Sequence, residues 1–108
     1  MGASIYIKSK SAGNIDVPLA GHNEIKELWK PIIHDANLPL FDLCFSAGLS
    51  VDEGNYSEVL EEACIMLKAI ESKVAFSADP GNPVFRSRRL LALLKAHAPK
   101  EGNQIYIG

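Results

Sequence analysis

Isoleucines alternate with other residues in two short stretches at opposite ends of the chain, Ile5-Tyr6-Ile7 near the start and Ile105-Tyr106-Ile107 at the stop. Alternation is the period of a strand buried on one face. A lone strand leaves its backbone donors and acceptors unpaired, so the two ends are expected to meet in one sheet and close the domain. Ile15, Val17 and Leu19 alternate again after the turn-forming Ser11-Ala12-Gly13-Asn14, which predicts a hairpin. Pro18 cannot donate to a ladder and places the second strand at an edge. The expected order is therefore 15–18, 4–9, 104–107. With the isoleucines facing the core, Tyr6 and Tyr106 share the opposite face.

Between these strands the period changes to that of helices. Over 23–36, Ile25, Leu28, Trp29, Ile32 and Ala36 fall on one stripe, and Pro31 within it predicts a kink or a fresh helical start. The run from Leu38 to Phe45 is almost wholly apolar. Pro39 suits its first turn and Gly48 its stop, giving a short buried helix over 39–47. Asp52-Glu53-Gly54-Asn55 reads as a polar loop.

The clearest helix spans 56–75, where Val59, Leu60, Ala63, Met66, Leu67 and Ile70 recur at three- and four-residue steps. Ile65 lies on the other side of that stripe. An interior helix contacted on both sides is the expectation, with an exposed contact residue as the alternative. Asp79-Pro80-Gly81-Asn82-Pro83 is the strongest break in the chain. Asn82 suits an N-cap and Pro83 a first helical residue. The last helix, 83–97, then buries Leu90, Leu91, Leu94 and Leu93. The whole reads as one α+β domain over 1–108, a small antiparallel sheet packed on about four helices.

Composition leaves this picture intact: 47% hydrophobic and 22% charged residues allow a core without metal or disulfide staples. A net charge of −2 argues against a nucleic-acid partner. No apolar run reaches membrane length, and the first residues lack the pattern of a secretory leader. A cytoplasmic protein that touches no membrane is expected. Cys44 and Cys64 sit amid apolar neighbours and read as buried thiols in a reducing compartment.

Catalytic chemistry has few candidates. His34 falls on the polar side of its helix, His22 precedes a helix as a capping candidate, and His97 lies near a helix C-terminus, where the macrodipole favours its cation. Ser46-Ala47-Gly48 lacks the first glycine of a nucleophile elbow, and no phosphate-binding loop appears. The helix start at Asn82, beside Arg86 and Arg89, reads as simple capping. No metal and no cofactor is expected.

Three surfaces point to a protein partner instead. Phe85, Arg88, Arg89 and Lys95 fall opposite the leucine stripe of the last helix, and an aromatic flanked by arginines is interface chemistry. Asp52, Glu53, Glu58, Glu61 and Glu62 place five carboxylates within eleven residues. Such a region either pairs with the basic helix or steers a charged partner. Tyr6 and Tyr106 offer rigid amphipathic area on an uncovered sheet face. Outer strands also leave edges that invite a second copy, hence a homodimer.

The function expected is a non-enzymatic protein-binding domain, most concretely an immunity-protein or antitoxin-like inhibitor, on fold-level analogy. One alternative is a small enzyme or ligand-binding domain using a pocket of Cys44, Cys64, His22, His34 or His97. The other is a self-assembling structural subunit.

Overall fold

A computed structural model describes residues 2–11, 13–99 and 102–108. The two ends of the chain do meet. Strand β1 (Ala3–Ser9) pairs antiparallel with β2 (Gly13–Ala20) on one side, and with the last strand on the other. Ala12, part of the predicted turn between β1 and β2, lies outside the described residues.

The sheet has one strand more than the alternation predicts. Leu49–Val51 forms β3, and Gln104–Ile107 forms β4, giving four antiparallel strands in the order β2-β1-β4-β3. Gly48, read as a helix stop, turns the chain into this strand with φ of 90°, a conformation that suits glycine.

Ile5, Ile7, Val17, Leu19, Val51, Ile105 and Ile107 point to one side and are buried. The helices cover that side. The first helical segment runs as α1 (His22–Glu24), a π-helix over Ile25–Trp29, and α2 (Lys30–Ala36). This widened turn directly precedes Pro31, which has no N–H for the carbonyl four residues back. The predicted break is thus absorbed as a π-turn followed by a fresh α-helical start. Asn37 ends α2 in the left-handed conformation.

Helix α3 (Pro39–Ser46), α4 (Tyr56–Lys73) and α5 (Pro83–Ala96) complete the layer. Asn82 caps α5 as expected, its Oδ1 accepting the Phe85 N–H at 3.1 Å. His22 does not cap: Gly21 holds the N-cap position of α1, with no side-chain cap bond. Trp29 is fully buried at the centre, edge-on to Phe45 at 5.4 Å, and its indole N–H donates to Glu24 at 2.9 Å. Phe41, Leu94 and Met66 are equally enclosed. Each such side chain contributes about 1.5–3 kcal/mol by leaving water.

Helix α4 departs from the expected interior helix. Val59, Ala63, Met66 and Ile70 are buried on one side, but Ile65 is 39% exposed. The helix packs against α2, α3 and α5 through that one stripe, so Ile65 is a surface residue.

Candidate functional site

The helices leave the other face of the sheet uncovered, and the backbone ladder determines which side chains occupy it. Ser4 and Gly108 exchange both backbone hydrogen bonds, at 3.1 and 2.9 Å. In an antiparallel ladder such pairs alternate. Ser4, Tyr6 and Lys8 therefore turn their backbone groups towards β4, and Ile5 and Ile7 turn theirs towards β2. On the outer face, Tyr6 stands opposite Asp16 on β2 and Tyr106 on β4, and Tyr106 stands opposite Ser50 on β3. One row thus crosses all four strands: Asp16, Tyr6, Tyr106, Ser50. The next row is Asn14, Lys8, Gln104, bordered by Asp52 beyond the end of β3.

The two tyrosine rings lie 6.1 Å apart, tilted by 40°, and remain 43% and 41% exposed. Around them is a shallow concavity of about 760 Å³. Tyr106 is held from beneath. A Cβ on Gly48 would come within 1.8 Å of its hydroxyl oxygen, and one on Gly108 within 2.9 Å of its ring. Only hydrogen at these two positions lets the ring lie down over the backbone. The Tyr106 hydroxyl donates to the Ala47 carbonyl at 3.4 Å. The result is an aromatic tray whose position is set by the sheet rather than by a mobile loop.

Both edges of this sheet are interrupted. Pro18 stands opposite Ser4, so its missing N–H falls on the outer edge of β2, where no ladder bond is lost and none can be added. On the other edge the Ser50 carbonyl already accepts from Asn55 Nδ2 at 3.1 Å, while Asn55 Oδ1 takes the Asp52 N–H at 2.9 Å. Each edge is thus blunted at one position, Pro18 on β2 and Ser50 on β3. The accessible feature is the face.

The structure separates the remaining predicted residues. Glu62 does not belong to a surface cluster. It is buried, and its carboxylate accepts the backbone N–H groups of Leu40 and Phe41 at the start of α3. Asp52 borders the tray, its Oδ1 accepting from Gly54 and Asn55 in a tight turn. Glu53, Glu58 and Glu61 are exposed. The acidic stretch and the basic helix are not paired with one another: Arg88 binds Glu71 of α4 at 2.8 Å instead.

Phe85, in the first turn of α5, is only half exposed. The aromatic that Arg88 covers is Phe76, 4.5 Å from guanidinium carbon to ring centre and 52% exposed. No sequence periodicity singled out Phe76, because it lies in the irregular stretch after α4. Arg89 and Lys95 remain exposed on α5, in the helical layer across the sheet from the tray.

The cysteine–histidine alternative finds no assembled site. Burial, with the Glu62 charge as the second cause, pushes the Cys44 thiol up to about 12, so it stays protonated. Cys64 is half-buried on α4. His34 is almost fully exposed and lies 3.6 Å from Asp35. Among the described residues, no hydrogen bond joins a cysteine to a histidine, and no three His, Cys, Asp or Glu side chains gather as a metal site. No described helix is long and apolar enough to cross a membrane.

No protein-family model matches the chain, and neither the curated proteins nor the solved structures compared with it yield a match.

Proposed function

We propose that this chain is a protein-binding domain of the inhibitor kind, an immunity-protein or antitoxin-like protein that acts by covering another protein with the outer face of its sheet. The observation that carries the reading is the tyrosine tray: two half-exposed aromatic rings, 6.1 Å apart, on the two central strands of a sheet whose other face is filled by the core. Tyrosine supplies large contact area at low entropic cost and is enriched among residues that dominate binding. Around the pair, Asp16, Lys8, Gln104 and Ser50 form a polar rim, the composition expected at the border of an interface. The interruptions at Pro18 and Ser50 weigh against self-assembly through the strand edges, and the buried, protonated Cys44 disfavours the enzymatic alternative.

The test begins with capture of the native partner from lysate, followed by purification of the complex. Hydrogen exchange should then slow at β1 and β4 on complex formation. Tyr6→Ala and Tyr106→Ala should each weaken the complex about 30-fold, the range of interface hot spots, while each variant melts as a folded protein. A folded double variant that keeps full affinity overturns the reading.

A further inference from the structure

We infer that the partner segment seated on the tray is cationic, its arginine or lysine side chains reaching Asp16 beside Tyr6 and Asp52 diagonally across the tyrosine pair. This inference rests on the sheet face being the binding surface and adds the chemistry of what binds there.

The argument starts from the two carboxylates. Asp16 is exposed and stands directly opposite Tyr6. The pair is of the narrow, non-hydrogen-bonded kind, with Cα atoms about 4.5 Å apart, which brings the carboxylate beside the ring. Asp16 makes no hydrogen bond or ion pair among the described residues. On the far side, Asp52 Oδ1 accepts the N–H groups of Gly54 and Asn55 at 2.8 and 3.0 Å. Its second carboxylate oxygen makes no bond among the described residues. Three strand spacings separate β2 from β3, and Asp52 lies one row further on than Asp16, beside Gln104, so the two charges stand roughly 16 Å apart, diagonally across the tyrosine pair.

An aromatic face flanked by carboxylates selects cations twice over. The ring quadrupole attracts a guanidinium or ammonium lying on it, and the carboxylate takes its N–H groups as charge-assisted hydrogen bonds. This chain already uses half of that arrangement, with Arg88 over Phe76 and paired to Glu71. A neutral segment covering the tray would strip water from Asp16 and Asp52 and return nothing. An acidic one would meet like charge at both sides.

Lys8 is the one cation lining the concavity among the described residues. It sits in the second row, between Asn14 and Gln104 and two strands away from Asp52, and it forms no ion pair with either carboxylate. Beyond Asp52 the charge continues with Glu53, and Glu58 and Glu61 are exposed on the first turns of α4. An approaching basic segment therefore meets negative charge on that side first. The tyrosines and both carboxylates are side chains of the face, so the segment that meets them lies across the face rather than adding to the sheet.

The test titrates the full chain with three ten-residue peptides, alternating alanine with arginine, glutamine or glutamate, while NMR follows the ring signals of Tyr6 and Tyr106. The arginine peptide should shift both rings at millimolar concentration or below, and the glutamate peptide should shift neither. Asp16→Asn and Asp52→Asn should each weaken the arginine peptide about 3- to 5-fold, the size of an exposed ion pair. Glu58→Gln and Glu61→Gln, away from the rings, should change it less. Equal shifts with the glutamine peptide overturn the cationic occupant and leave the tray as a binding surface. Silence of both rings to the arginine peptide overturns the cationic occupant too. The tyrosine variants in the native complex decide the broader reading separately.

Discussion

The carboxylate of Glu62, in the middle of α4, accepts the backbone N–H of Phe41 at 3.0 Å. It also takes the Leu40 N–H at 3.1 Å. Pro39 has no N–H, so these are the next donors at the start of α3, left without partners inside their own helix. Leu38, the residue at the N-cap, offers no polar side chain. A carboxylate borrowed from another helix thus does what serine or aspartate does at an ordinary cap, and it lies at the favourable end of the helix dipole.

Removing it should be costly. Glu62→Ala leaves two N–H groups in a region where Phe41 is fully buried and Leu40 partly so, and should destabilise the fold by about 2–4 kcal/mol. Glu62→Gln keeps an acceptor, loses the charge, and should cost about 1–2 kcal/mol. Urea unfolding of the two variants checks the order. Equal losses would mean that the charge contributes nothing.

Glu62 also illustrates what the sequence makes legible. Strand alternation placed β1, β2 and β4, and their order, because each buries one face against the core. The wheel of α4 carried a signal for Glu62 that its charge concealed: three residues after Val59, it lies about 60° from that buried residue, on the flank of the apolar stripe. Counting it with Glu58 and Glu61 put it on the surface. Strand β3 was missed for a different reason. Three residues are too few to show a period, and Leu49–Val51 is a strand only because β4, far along the chain, lies beside it. The tyrosine face was legible from the pleat alone. The glycines beneath Tyr106 and the exposure of Phe76 depend on tertiary packing, which no local pattern encodes.

Cys44 gives a pH prediction whose sign follows from its environment. Burial first, and the Glu62 carboxylate second, push its thiol from 9.0 to about 12. The unfolded chain gives up this proton near 9, whereas the folded chain keeps it. The contribution to stability is therefore complete below about 9 and is lost as pH rises towards 12. Over that window the loss is at most about 1.4 kcal/mol per pH unit. Cys44→Ala should lack this term, so the stability gap between wild type and variant should narrow from pH 8 to pH 10. Thiol reagents at pH 8 should modify Cys64 well before Cys44 in the folded protein.

Ser87 is 1% exposed on α5, and its hydroxyl oxygen makes no hydrogen bond among the described residues. A buried hydroxyl without a partner carries a desolvation cost with no return. Ser87→Ala keeps nearly the same volume, removes that cost and improves helix propensity, so it should stabilise by about 0.5–1.5 kcal/mol. A drop in melting temperature would show that the hydroxyl has a partner in solution.

Gly48 and Tyr106 can be separated by a double-mutant cycle. Gly48→Ala does two things: it places a methyl group at φ of 90°, and it drives a Cβ into the space of the Tyr106 hydroxyl. The backbone part should cost about 1–2 kcal/mol wherever Tyr106 goes. The steric part should vanish once Tyr106 is alanine. Gly48→Ala should therefore cost about 1–3 kcal/mol more in wild type than in Tyr106→Ala, within the usual range of coupling between touching residues. The single variant should also lift the Tyr106 ring from the sheet, visible as changed ring contacts to Tyr6 in NMR. If the cycle shows no coupling, the ring is free to swing aside at no cost, and Gly48 serves the turn into β3 alone. If it shows the expected coupling, the same glycine that starts β3 also fixes one half of the tray.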